Sequence, residues 1–340
     1  MKKWIAFIVL LALAHATPST QTLTDMAQRS VTLPTTLERV FGSAPPTTYL
    51  IALFAPQTLV GLNTPLDNGV NLGSQVLPPV MRTLPLLKGW HGTTSGANIE
   101  KLLEAKTQLI VAWNNPFLNG VIEKATKGTG IEVLYIEPDA VTKLPQTFTL
   151  LGSVFGMPKR GDELSRYATM VNSRLASLRA SIDKKPRIYY ALGANGLQSE
   201  CDNSFHASFI EEVGAKNIIE CAQGNLVGLE TISFETLLVA QPDAIIIQEG
   251  KFYKSVRQDP KWQKLKAVQN NQLLYVPKTP INWLDRPPSF MRLLGTQWLA
   301  HRLYGKAYGH DFGVDERYFF QLFFGYEGDE AFFERIKNPQ

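Results

Sequence analysis

The sequence predicts an α/β protein: two Rossmann-like lobes with parallel sheets, bridged by one long α-helix, with a ligand cleft between them. Three observations carry this. The stretch MPKRGDELSRYATMVNSRLASLRASI (157–182) places Leu164, Tyr167, Ala168, Val171, Leu175, Leu178 and Ile182 on one helical stripe. Short buried strands alternate with helices on both sides of it. One helix–strand unit also occurs in each half: ANIEKLLEAKTQLIVA (97–112) aligns without gaps on ISFETLLVAQPDAIII (232–247). Each copy has a capping residue, a glutamate two positions later, Leu-Leu-x-Ala, and then a buried strand.

The long helix is punctuated at both ends. Pro158 suits a first turn, and Asp162 and Glu163 are expected near the positive end of the dipole. Lys184 and Lys185 complement the other end, and Pro186, lacking an N–H, stops it. Such a helix is roughly 35–40 Å long, about the length of a lobe, and reads as a rigid strut.

The 340 residues suffice for two cores, and 44% hydrophobic with 19% charged content describes a globular chain. The first residues, MKKWIAFIVLLALAHA, have a positive n-region, a short apolar h-region and a small-x-small site. They predict an export signal cleaved after Ala16, and no cysteine stands there to take a lipid anchor. The expected organisation is therefore 1–16 signal peptide, 17–156 N-terminal lobe, 157–185 linking helix and 186–340 C-terminal lobe. Loss of Lys2 and Lys3 lowers the formal charge from +4 to +2, too little to argue for nucleic acid. In an oxidising compartment the two cysteines, Cys201 and Cys221, are expected to form a disulfide. Closing a loop of about 20 residues would contribute on the order of 3 kcal/mol.

In chain order, residues 22–33 read as an edge hairpin, 39–41 as the first buried strand and 48–54 as an apolar helix. Strands are expected at 59–62, 84–87, 109–112 and 133–136, with a helix capped by Asn98 and another over 147–155. Beyond the strut, strands are expected at 187–192, 244–247 and 273–276, with helices at 204–213, 233–240 and 290–304 and an aromatic helical tail.

Open parallel sheets bind ligands beyond the carboxyl ends of their strands. The residues placed there are Trp90 and His91, Trp113 with Asn114 and Asn115, Tyr253, and Trp283 with Arg286. Aromatic faces suit a large organic ligand, and the arginine fork suits a carboxylate, catecholate or oxyanion. His91 and His206 are candidate direct metal ligands. Each has an ordinary alternative: Trp283 and Arg286 could simply hold a proline-rich loop, and either histidine could make one satisfied hydrogen bond.

The chain resembles periplasmic substrate-binding proteins of the metal-chelate class, which serve iron–siderophore and vitamin B12 importers. The resemblance rests on DMAQRSVTLPTTLERV (25–40), GWHGTTSGANIEKLLEAKTQLIVAW (89–113), SFHASFIEEVGAKN (204–217), ETLLVAQPDAIII (235–247), WQKLKAVQNNQLLYVP (262–277) and WLDRPPSFMRLLG (283–295). It implies a ligand held between two lobes, with Trp90 and Trp113 at positions where the vitamin B12-binding branch places tryptophans. It also implies that Glu100 and Glu235, matched in the repeated unit, dock onto a two-fold inner-membrane permease.

The resulting expectation is a monomeric, non-catalytic periplasmic carrier. It takes up a metal chelate, foremost of the iron(III)–siderophore type, has no cofactor of its own, and closes little because a strut resists wide hinge motion. Cobalamin, a nickel chelate and molybdate are the alternative ligands. An exported metal-dependent hydrolase, with the two histidines beside Asp285 and Glu249, is the alternative of another class. No Gly-x-Ser-x-Gly elbow, His-Glu-x-x-His pair or phosphate-binding glycine loop supports it. A scaffold without a small ligand is the third reading.

Overall fold

The computed structural model describes residues 19–66, 75–91, 96–222 and 228–337. The expected signal and its cleavage site lie outside them. Eleven strands follow in order: β1 (Thr20–Thr24), β2 (Ser30–Pro34), β3 (Val40–Gly42), β4 (Leu109–Trp113), β5 (Glu132–Ile136), β6 (Arg187–Ala191), β7 (Gln198–Ser199), β8 (Lys216–Asn217), β9 (Glu230–Thr231), β10 (Ala244–Ile247) and β11 (Leu273–Tyr275).

The first lobe is built on the parallel sheet β3-β4-β5, and the second on the parallel sheet β11-β10-β6-β8. Every residue of β4 and of β10 is buried, as unbroken Leu/Ile/Val/Ala runs require in a sheet covered on both faces. The two copies of the repeated unit occupy matching places. Asn98 and Ser233 each accept a hydrogen bond from the backbone N–H three residues on, starting helices Ile99–Glu104 and Phe234–Ala240, which lead into β4 and β10.

Two expected strands, 59–62 and 84–87, contribute only the isolated parallel bridges Val40↔Leu59 and Leu62↔Leu86. Pro85 has no N–H to continue that ladder, and the flanking prolines at 56 and 65 keep the segments short. The hairpin β1–β2 is tied to the sheet by Asp25. Its buried carboxylate accepts from Arg29, 2.8 Å, and from the backbone N–H of Tyr135, 3.2 Å.

The linking helix, Pro158–Ser181, buries Gly161, Leu164, Tyr167, Ala168, Val171, Leu175 and Leu178. Its first turn contains no acid; Glu163 instead pairs with Arg160 at 2.6 Å, within the helix. The preceding helix, Leu144–Val154, packs on it through glycines: a Cβ at Gly152 would come within 2.8 Å of the Gly161 Cα. Two backbones approach that closely only where both side chains are hydrogen.

The C-terminal helices Phe312–Phe324 and Glu330–Ile336 pack both on the second lobe, where Phe323 stacks on Phe290 at 5.4 Å, and on the linking helix. Phe323 lies 5.8 Å from Phe148 and 5.4 Å from Tyr167, and Asp315 pairs with Arg174 of the linking helix at 2.8 Å. A single hydrophobic cluster runs from β3 and β4 through the linking helix to Trp283, Phe290 and this tail. The aromatic face of the tail is buried between Tyr167 of the linking helix and Phe290, each 5.4 Å from Phe323.

Candidate functional site

The two lobes meet where the ends of β4 and β5 approach the loops that follow β6 and β11. Trp113 closes β4 and is 7% exposed. Its indole lies beside the carboxyl of Asp139, in the loop after β5, and favours that group's charged form. Its ring meets Phe205 of the other lobe edge-on, with centroids 5.2 Å apart at 88°. Asn114, next in sequence, donates to Glu137 at 3.4 Å and accepts from Asn119 at 2.9 Å. This N-terminal wall therefore joins an indole and amides to the carboxyls of Glu137 and Asp139.

The C-terminal wall is ionic. Asp285 is fully buried, and its carboxylate meets His206 Nδ1 at 2.6 Å, the Tyr190 hydroxyl at 3.2 Å, Arg286 Nε at 3.6 Å and Arg292 Nη2 at 3.7 Å. Burial alone would raise its pKa. The charge and hydrogen bond of His206, with Arg292 and Arg286, outweigh burial and hold it below the ordinary value. Behind it, Asn282 donates to Gln248 at 2.7 Å and Gln248 donates to Tyr190 at 2.8 Å, which fixes the phenol that faces Asp285. Arg286, whose side chain is 29% exposed, also donates to the buried Glu200.

Arg292 joins the walls. Fully buried, it donates to the carbonyls of Leu284 (2.6 Å) and Phe205 (2.8 Å) in the second lobe and of Asp139 (2.8 Å) in the first. Two more carboxyls stand near it. Burial raises the pKa of Asp139, against the pull of Arg292 and Trp113. It also raises that of Glu212, against the pull of Arg292.

The expected site residues do not all come together. Trp113, Asn114, His206 and Arg286 do. Trp283 is corrected: it is fully buried, 6.4 Å from Trp298 and 6.0 Å from Phe312, with its N–H given to the Thr279 carbonyl. The loop 277–283 turns the indole into the core, where a ring of that area is stabilised most. Trp90, 4% exposed, belongs to the core of the first lobe, with its indole edge against Gly96. Half-buried His91 has its pKa lowered by burial. Tyr253 packs on Tyr275 at 5.4 Å, with Arg257 over its ring at 4.5 Å. Among the described residues no group of three or more His, Cys, Asp or Glu is placed to hold a metal ion. His206 is instead the partner of Asp285.

Cys201 and Cys221 are joined, anchoring the loop that carries Glu200 and His206. Residues 204–207 stay outside the helix expected from 204, which begins at Ser208, because Ser204 turns its hydroxyl to Glu200 at 2.9 Å. Glu100 and Glu235 stand exposed in the first turns of the two matching helices. Sequence reading missed Glu200, Phe205, Asp139 and Arg292 as parts of the site. A charged residue within the apolar run FMRLLG was the one available signal, since an arginine there must be buried and paired.

Two parallel-sheet lobes on a strut, with the loops beyond their strand ends facing one another, define a solute-binding protein of the type that serves ABC importers. The chain belongs to the periplasmic binding protein family, whose model matches residues 90–280. An ABC transporter solute-binding protein from Sulfurospirillum deleyianum is 37% identical, covering 93% of this chain and 98% of its own, with a TM-score of 0.88. The vitamin B12-binding protein of Salmonella typhimurium is 24% identical over 62% of this chain and 73% of its own. The molybdate-binding periplasmic protein of Haemophilus influenzae shares the fold, with a TM-score of 0.69 at 21% identity over 91% of this chain and 99% of its own. Among the described residues no helix is long and apolar enough to cross a membrane.

Proposed function

We propose that this protein is the periplasmic substrate-binding component of an ABC importer, exported by a signal cleaved after Ala16 and free of a lipid anchor. It captures a metal chelate, foremost of the iron(III)–siderophore type, as a monomer and delivers it to a dimeric inner-membrane permease. The observation that carries this reading is the pairing of Trp113 with Phe205 across the lobe boundary, beside the Asp285–His206–Arg286 cluster. Aromatic edges and a fixed arginine at one cleft floor suit an organic complex with polar groups at its rim. The vitamin B12-binding relatives make cobalamin the second ligand to test.

The reading makes the pair Glu100 and Glu235 the docking prongs. They stand in the first turns of equivalent helices of the two lobes and present one carboxylate each, an arrangement that a two-fold partner with a basic group in each half would recognise. Titration with ferric siderophores, cobalamin, nickel complexes and molybdate, followed by tryptophan fluorescence, is expected to give stoichiometric saturation without turnover. Turnover of a ligand would favour the hydrolase instead. Glu100→Lys with Glu235→Lys should abolish permease-stimulated ATP hydrolysis while ligand affinity is retained; undiminished stimulation would reduce both residues to helix-terminus stabilisers.

A further inference from the structure

Arg286 is the one described arginine of the C-terminal wall that combines an exposed fraction with a place beyond a strand end, yet it is not an open positive charge. Its guanidinium contacts two carboxylates, those of Glu200 and Asp285, whose side chains are both fully buried. The other arginine, Arg292, is occupied by Asp285 and by backbone carbonyls. Arg286 thus faces two buried carboxylates, which balance its charge where it stands.

Glu200 cannot swing aside to release Arg286. Its carboxylate also accepts from the Ser204 hydroxyl at 2.9 Å and lies near the Leu229 N–H at 3.4 Å. Gly228 packs so closely on it that a Cβ there would overlap the carboxylate, and the backbone at Gly228 has φ +64°. The disulfide of Cys201 holds the next residue in place. Across the cleft, Asn114 is bonded to Glu137, a further negative group. Lys88 and Lys278, past the strand-like segment at Leu86 and past β11, are exposed, so water and salt screen their charge.

We propose that Glu200 and Asp285 cancel the charge of Arg286, so that the cleft selects a chelate of little or no net charge over a multiply anionic one, with Glu200 setting the preference. This rests on the reading of the cleft as a chelate site. In it Arg286 acts as a fixed fork of hydrogen-bond donors. A ligand carbonyl, amide or hydroxamate oxygen brings no formal charge toward the two buried carboxylates. A trianionic complex or an oxyanion dianion meets their repulsion in a poorly screened place. Glu200 is a positioning and specificity residue, acting on the ligand through Arg286.

The test compares the wild-type protein with Glu200→Gln and Glu200→Asp by calorimetry at fixed ionic strength. The probes are a neutral ferric trihydroxamate, cyanocobalamin, a trianionic ferric tricatecholate and molybdate. The wild type is expected to bind its best neutral probe at least tenfold more tightly than either anion. Glu200→Gln should shift that ratio toward the anions by about tenfold, the shift shrinking at high salt, and Glu200→Asp should restore the wild-type preference. Should Glu200→Gln not fold, Arg286→Gln reads the same balance with opposite sign, depressing the anions further. A wild type that prefers the tricatecholate or molybdate, or a folded Glu200→Gln with an unchanged ratio, overturns the proposal. A wild type that binds none of the four overturns the chelate reading itself, and this inference with it.

Discussion

The two walls of the cleft come from matching places in matching folds and yet differ in chemistry. In the first lobe the strand that follows the repeated helix ends in Trp113, whose neighbours are the carboxyl of Asp139 and the edge of Phe205. In the second lobe the equivalent strand ends at Ile247, and the loops beside it assemble Glu200, His206, Asp285 and Arg286. The carboxyls show the contrast most clearly. Burial dominates at Asp139 and raises its pKa, whereas His206 and two arginines overcome burial at Asp285 and lower it. A sheet fixes where its loops emerge, and the loops choose their chemistry independently. One wall can therefore supply apolar contact area while the other fixes orientation.

The largest expected effect would break the comparison by removing the residue the walls share. Arg292→Met keeps the side-chain volume but leaves Asp285 with one cation fewer in a fully buried place, and it removes the bond to the Asp139 carbonyl. Urea unfolding should show a loss of about 3–5 kcal/mol. A loss below about 1 kcal/mol would mean that Arg292 is not the joint between the walls.

A smaller effect should sharpen the functional division. Trp113→Ala should weaken ligand binding by about 1–3 kcal/mol, read by calorimetry on the folded variant. Trp283→Ala should act on stability instead, since Trp283 reaches no cleft surface. Equal affinity losses in the two variants would show that the indole at Trp113 holds no special place in the pocket.

The smallest effects concern pH and carry opposite signs. Asp285 has a lowered folded pKa, so its contribution to stability is present above the carboxylate's unfolded value, about 3.9, and is lost as pH falls through the folded value. Asp139 has a raised folded pKa, so its contribution is complete below about 3.9 and is lost as pH rises through the folded value. Stability curves measured across pH should therefore show Asp285→Asn most harmful near neutrality and least harmful in acid. Asp139→Asn should be closest to wild type in acid and comparatively favourable near neutrality. Parallel curves for the two variants would erase the electrostatic difference between the walls.

The repeated helix–strand unit was legible because its signals are local. A capping side chain, an acid in the first turn and a run of β-branched or aliphatic residues act within one or two turns of chain, so Asn98, Ser233, β4 and β10 could be read directly. The apolar stripe of the linking helix is likewise a property of spacing, and Leu164 through Leu178 are buried as that spacing required. Trp113, ending a strand, was found by the same logic. Trp283 was misplaced by it, because position beyond a strand says where a loop starts and not which way its side chains turn.

What the sequence determined by itself was the class of fold, the strut and the duplicated unit, all consequences of periodicity and local capping. Only the tertiary structure decided which side chains meet. Glu200 and Arg286 are brought together from two separate loops of the second lobe, and Arg292 reaches Asp139 in the first. The C-terminal aromatic helix packs on the linking helix as well as on Phe290 of its own lobe. Each of these contacts joins segments far apart in the chain, and its energy comes from removing charge or apolar surface from water in company. That term depends on the neighbours present at the end of folding, and no stretch of sequence carries it alone.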